Sequence, residues 1–89
     1  MKAVISVVGL DRPGIVAGVS TVLADHNINI TDISQSYAKE FFTMILIVDF
    51  EKSNATLKEI DEELKQVGKK LGVFITTQHE NVFRAMHRI

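Results

Sequence analysis

The side chains of this chain that could do chemistry gather at one short stretch. Between the apolar run ending Val7-Val8 and a second apolar run starting at Ile15 stand Asp11-Arg12-Pro13-Gly14. An arginine at the mouth of a helix could hold a phosphate, and Asn27 or Asn29, if folded nearby, could position a water to attack it. A phosphate cradle wants several free backbone N–H groups, usually from a glycine-rich loop. Pro13 removes one and only Gly14 adds flexibility, which weighs against that chemistry. Asp11 and Pro13 are also ordinary helix-start residues, so the stretch has a purely structural reading as well. Elsewhere the signals are poorer. His26, His79 and His87 lack metal-ligand spacing. The chain has no cysteine, hence no disulfide, thiolate metal site or thiol nucleophile. Glu59, Asp61, Glu62 and Glu63 fall on what reads as a solvated helix face, and Ser34 and Ser36 have no histidine placed to activate them. No catalytic residue, metal ligand or cofactor is expected.

The elements that must position this stretch follow from periodicity. Lys2 to Val8 reads as a strand, with Ala3, Ile5 and Val7 on one face and Val4 and Val8 on the other. Pro13 suits the first position of a helix whose stripe is Ile15, Val16, Val19, Val22 and Leu23. The opposite face (Ala17, Gly18, Ser20, Thr21, Ala24) carries no charge, which reads either as a covered face or as a merely small and polar surface. Asn27 suits the left-handed position after the helix. Ile28 to Ala38 reads as a strand whose apolar parity switches near Thr31-Asp32, the mark of a bulge or a late-starting strand. After a short turn at Ala38-Lys39-Glu40, Phe42, Met44, Leu46, Val48 and Phe50 alternate toward a core, with Ile45 and Ile47 on the other face. Ser53-Asn54 offers N-caps for a helix with Leu57, Ile60, Leu64, Val67 and Leu71 on one stripe, closed by Gly72. Val73 to His79 is a last strand. Glu80 to Ile89 is a short amphipathic tail, too short for an isolated helix, so its stripe (Val82, Phe83, Met86, Ile89) must dock on this sheet or on a neighbour.

The order β-α-β-β-α-β predicts an α+β, ferredoxin-like sandwich: one antiparallel sheet, order 4-1-3-2, with both helices on one face. Residues 1–79 form this domain and 80–89 the tail. The uncovered sheet face, with Ile45 and Ile47 on it, predicts sheet-face or edge-to-edge association or cover from the tail. Length and composition agree with one small globular domain: 89 residues, 46% hydrophobic, 24% charged. A chain this short hides only roughly 60–65% of its unfolded surface, so a partner would help it. The formal net charge of −1 gives no reason to expect nucleic acid or an anionic membrane, and the only basic cluster is Arg84, His87 and Arg88. No apolar run approaches the ~20 residues of a spanning helix, and no export signal is visible, which reads as cytoplasmic.

The stretch "GLDRPGIVAGVSTVLADHNINITDISQ" resembles the opening half of an ACT domain: strand, D-R-P-G, apolar helix, L-A-x-x-x-x-N-I, then D-I-S-Q. The closing "QHENVFRAMHRI" resembles the small stand-alone ACT proteins related to glycine-cleavage-type transcriptional regulators. The resemblance implies a non-enzymatic regulatory module that binds an amino acid or related metabolite between two paired domains and signals to a partner protein not named by the sequence. Carried onto this chain, it places the ligand against Asp11, Arg12, Pro13, Gly14 and Ile15, with Asn27, Ile28, Asn29 and Ile30 as the facing wall. A helix N-terminus suits a carboxylate, Gly14 allows close backbone approach, and an acid or asparagine carbonyl accepts from an α-ammonium. Pairing into a homodimer or higher homo-oligomer would extend the sheet through an edge strand, most simply the second. Two alternatives stand beside this: a ligand-free oligomerisation or protein-interaction module, and an acylphosphatase-like hydrolase using Arg12. Two other users of the fold fit poorly. A soft-metal carrier needs a CxxC, and an RNA-recognition domain needs aromatic residues on its central strands.

Overall fold

Alternation and capping in the sequence translate directly into seven elements. In the computed structural model, which describes residues 1–86, these are β1 (Lys2–Leu10), α1 (Ile15–Asp25), β2 (Asn29–Ala38), β3 (Phe41–Asp49), α2 (Leu57–Leu71), β4 (Val73–His79) and α3 (Glu80–Met86). The four strands form one antiparallel sheet in the order β2-β3-β1-β4, the predicted arrangement. The core lies between one sheet face and α1 and α2. Ala3, Ile5 and Val7 of β1 and Phe42, Met44, Leu46 and Val48 of β3 meet Ile15, Val19 and Leu23 of α1 and Ile60 and Leu64 of α2. These are the period-two and helical stripes read from the sequence, so burial of apolar area sets both helix registers.

Three local features depart from or sharpen the expectation. α1 begins at Ile15 rather than Pro13, because Gly14 takes a left-handed conformation (φ 94°) that lies outside the helix and turns the chain into it. α2 is capped by Thr56 rather than by Ser53 or Asn54. The Thr56 hydroxyl accepts from the Glu59 N–H at 3.2 Å, and Glu59 Oε1 accepts from the Thr56 N–H at 3.0 Å, a reciprocal capping box. The parity switch in β2 is a bulge: pairing with β3 steps from Ile30↔Val48 to Asp32↔Ile47. Thr31 lies between them and its hydroxyl donates to the Ile47 carbonyl at 3.0 Å. Asn27 is left-handed (φ 61°) and Gly72 closes α2 likewise (φ 73°).

The two helices are fitted to each other and to β4 by small residues. Gly18, on the uncharged face of α1, packs against Val67 and Leu71 of α2, so α2 covers part of that face while Ala17, Thr21 and Ala24 stay exposed. A Cβ at Gly68 would stand 2.6 Å from the Val73 carbonyl oxygen, so glycine is what lets α2 lie this close to β4. On the opposite sheet face, α3 packs against β1 and β4. Phe83 is half-buried, whereas Val82 points to solvent at 51% exposure. The remainder of the tail stripe, the Met86 side chain and Ile89, lies outside what the structure describes.

Candidate functional site

The Asp11–Gly14 turn is built by contacts at both ends. The Asp11 N–H donates to the Glu40 carbonyl at 2.9 Å, tying the turn to the β2–β3 hairpin. Arg12 Nη1 donates to the Leu71 carbonyl at 2.9 Å, at the C-terminus of α2. That carbonyl is one of the groups a helix leaves unsatisfied and carries partial negative charge, so a guanidinium is well placed there. The guanidinium therefore lies on α2 rather than at the head of α1. Asp11, Arg12, Pro13 and Gly14 are exposed, whereas Ile15 is buried in the core. α1 has no side-chain cap and no acid in its first turn, so its leading N–H groups are not taken by side chains.

The second group lies elsewhere. Asn27, Ile28 and Asn29 line an open groove of about 620 Å³ together with Ala24, Asp49, Glu51 and Lys52. Ile28 faces the core, and Ile30 is half-buried. Asp49 Oδ1 accepts from the Glu51 N–H at 2.9 Å and stands 4.0 Å from the N-terminal ammonium. The groove thus carries both signs of charge and two side-chain amides, a lining suited to a small zwitterion. Asp49, Glu51 and Lys52 were missed by sequence reasoning. The signal that could have found them is register: the end of β3 lies directly opposite Asn29.

One subunit does not bring the two groups together. The turn leaves the sheet where Leu10 pairs with Phe41 and Phe41 with Ala38; Asn29 starts β2 where Asp49 pairs with Lys2. The groups are therefore at opposite ends of the strands, roughly 25 Å apart at about 3.3 Å per residue.

His26, His79, Glu59 and Asp61 make structural contacts, His79 Nδ1 accepting from the Asn81 N–H at 3.0 Å, whereas His87 lies outside the described residues. His26, just after α1, is bracketed by Asn54 Oδ1, 2.9 Å from Nδ1, and by Glu63 of α2 at Nε2. The Asn54 hydrogen bond raises its pKa above the ordinary value; partial burial opposes this, and the charges of Glu63 and Asp25 add to the rise. Glu59, drawn down by the Thr56 backbone and hydroxyl donors, serves the cap. Asp61 is not on a solvated face as expected. It accepts from the Thr77 N–H at 3.1 Å and pairs with Lys65 at 2.8 Å. Among the described residues no group of three or more His, Asp or Glu side chains could hold a metal, and no helix is long and apolar enough to cross a membrane.

Comparison with known proteins agrees with this architecture. A UPF0237 protein of Methanopyrus kandleri is 50% identical over 88 residues, covering 99% of this chain and 98% of the relative. The solved structure of an ACT domain protein from Streptococcus pneumoniae superposes with a TM-score of 0.80 at 41% identity, covering 93% of each chain. A structure described as a glycine cleavage system transcriptional repressor shares the fold at a TM-score of 0.72 and 23% identity, this chain covering 86% of itself and 44% of that protein. The family model for the ACT domain matches residues 2–78, and the chain belongs to the ACT domain family.

Proposed function

We propose that this protein is a non-enzymatic regulatory module that pairs with itself, binds an amino acid or related small metabolite at the subunit interface, and passes the bound state to a partner protein. The observation that carries the reading is the placement of the two candidate groups at opposite ends of one subunit. An isologous contact along β2 reverses the partner's strand. It sets the Asp11–Ile15 turn of one copy at the same end of the joined sheet as the Asn27–Ile30 wall of the other. The edges support β2 as the contact. Along β2 only Ile30 is even half-buried, whereas Asp61 of α2 takes the Thr77 N–H of β4. An open row of strand N–H and C=O groups is a ready template for pairing.

Within that frame the chemistry divides naturally. The uncapped head of α1 receives the ligand carboxylate, and the Asn27, Asn29 and Asp49 oxygens accept from its ammonium. The test is calorimetry and thermal shift with the common amino acids and with purine and folate metabolites, on the wild type and Gly14→Leu. One ligand should raise the melting temperature and release heat, and Gly14→Leu should abolish both. Failure of every compound at millimolar concentration overturns the ligand reading.

A second reading is favoured by one contact. Because Arg12 is held on Leu71 and Ile15 and Ile28 pack inward, the same geometry suits a ligand-free pairing module. In that case the pair forms, no compound shifts it, and Gly14→Leu leaves assembly intact.

A further inference from the structure

Among the described residues, half of the sheet face turned away from α1 and α2 is bare and apolar. Register places Val8 between Thr43 and Phe74, Leu10 beside Phe41, and Ile45 beside Ser6, all with side chains on that face. Val8, Leu10, Phe41, Ile45 and Phe74 are exposed, Phe74 by 62%. The other end of the same face is different. There Val4 is only 6% exposed, and α3 packs on β1 and β4.

We infer that this bare half-face packs against the same half-face of a second copy of the chain, sheet on sheet, as an interface separate from the β2 edge. Three observations support that occupant. The first is area. A whole phenylalanine side chain offers roughly 200 Å², so the exposed parts of the five side chains amount to on the order of 500 Å². A standard interface takes about 800 Å² from each partner, near 60% of it apolar, which is the same quantity. The second is charge. The positions between the five carry hydroxyls (Ser6, Thr43, Thr76), while the charged residues of this face, Lys2, Asp32 and Asp49, sit at the far end. A two-fold axis through the patch therefore sets neutral surface on neutral surface and buries no unpaired charge. The third is shape. α3 stands on the far half of the face, so a second sheet descends only on the bare half, and the two copies of α3 flank the contact on opposite sides.

The test is sedimentation velocity and light scattering on the full chain, wild type against Phe74→Glu and Leu10→Glu, with Val82→Glu as the control. All three positions are exposed, so the variants should keep the wild-type circular dichroism and fold. Phe74→Glu and Leu10→Glu should halve the assembled mass, whatever the β2 edge contributes, and Val82→Glu should leave it unchanged. A wild type that runs as a single chain at every concentration overturns the inference. So does an assembly whose mass in both patch variants equals that of the wild type.

Discussion

Arg12 Nη1 and the Leu71 carbonyl meet at 2.9 Å across 59 positions of sequence. The D-R-P-G turn and the end of α2 are one structural unit. Replacing Arg12 with alanine removes a charged donor from an exposed helix C-terminus, and urea denaturation should show a loss of about 0.5–1.5 kcal/mol. Lysine, which keeps the charge without the planar fork, should recover part of it. An acylphosphatase-like role for Arg12 predicts instead that wild-type protein hydrolyses an acyl phosphate and that Arg12→Ala does not. With the guanidinium committed to Leu71, no hydrolysis is expected from either protein.

Histidine 26 makes stability depend on pH near neutrality. Its folded pKa lies above the unfolded value of about 6.5, chiefly through Asn54 and with help from Glu63 and Asp25 against the opposing effect of burial. The imidazolium donates to both acceptors, which the neutral ring cannot do. The stabilisation is therefore complete below about pH 6.5 and is lost as pH rises through the folded value. Melting temperatures should fall across that window in the wild type and stay flatter in His26→Gln. The ring resonances should titrate with a midpoint above 6.5, and Glu63→Gln should lower it.

Glycine 68 should not tolerate even a methyl group. Alanine is worth about 1 kcal/mol over glycine inside a helix, yet its Cβ would sit 2.6 Å from the Val73 carbonyl oxygen, a backbone atom that cannot move alone. Overpacking of this kind costs roughly 1–3 kcal/mol, so Gly68→Ala should be net destabilising in chemical denaturation. An alanine variant as stable as wild type would show that α2 slides freely on β4.

Thr56→Ala should cost about 0.5–2 kcal/mol by removing the cap of α2. It should also weaken the acid-side dependence. Glu59 has its pKa lowered by the Thr56 donors, so its contribution is present above the unfolded carboxylate range and disappears as pH falls through the lowered value. Denaturation midpoints measured from neutral to acid pH should converge for Thr56→Ala and wild type.

Short-range patterns in the sequence carried most of the fold. Strand order follows from the alternation of elements, the β2 bulge from the parity switch at Thr31-Asp32, and the ends of both long helices from Asn27 and Gly72. The misplaced helix starts were local competitions. Thr56-x-x-Glu59 was a legible capping box, but Ser53 and Asn54 outranked it by position; the structure uses Ser53 in a turn with Ala55 and Asn54 against His26. The candidate site was legible as residues and illegible as geometry. No periodicity reports that Arg12 reaches Leu71, that Asp49 and Lys52 share a groove with Asn29, or that the turn and the wall lie at opposite ends of β1 and β2.

That last separation has a genetic consequence. In the two-fold arrangement proposed above, every pocket draws its turn from one chain and its wall from the other. A subunit defective only in its turn and a subunit defective only in its wall are each inactive as homodimers. Mixed, they form a heterodimer in which one pocket inherits both lesions and the other inherits none. Two dead alleles carrying Gly14→Leu and a disabled Asn29 should therefore complement each other in one cell, and the mixed protein should bind one ligand per pair.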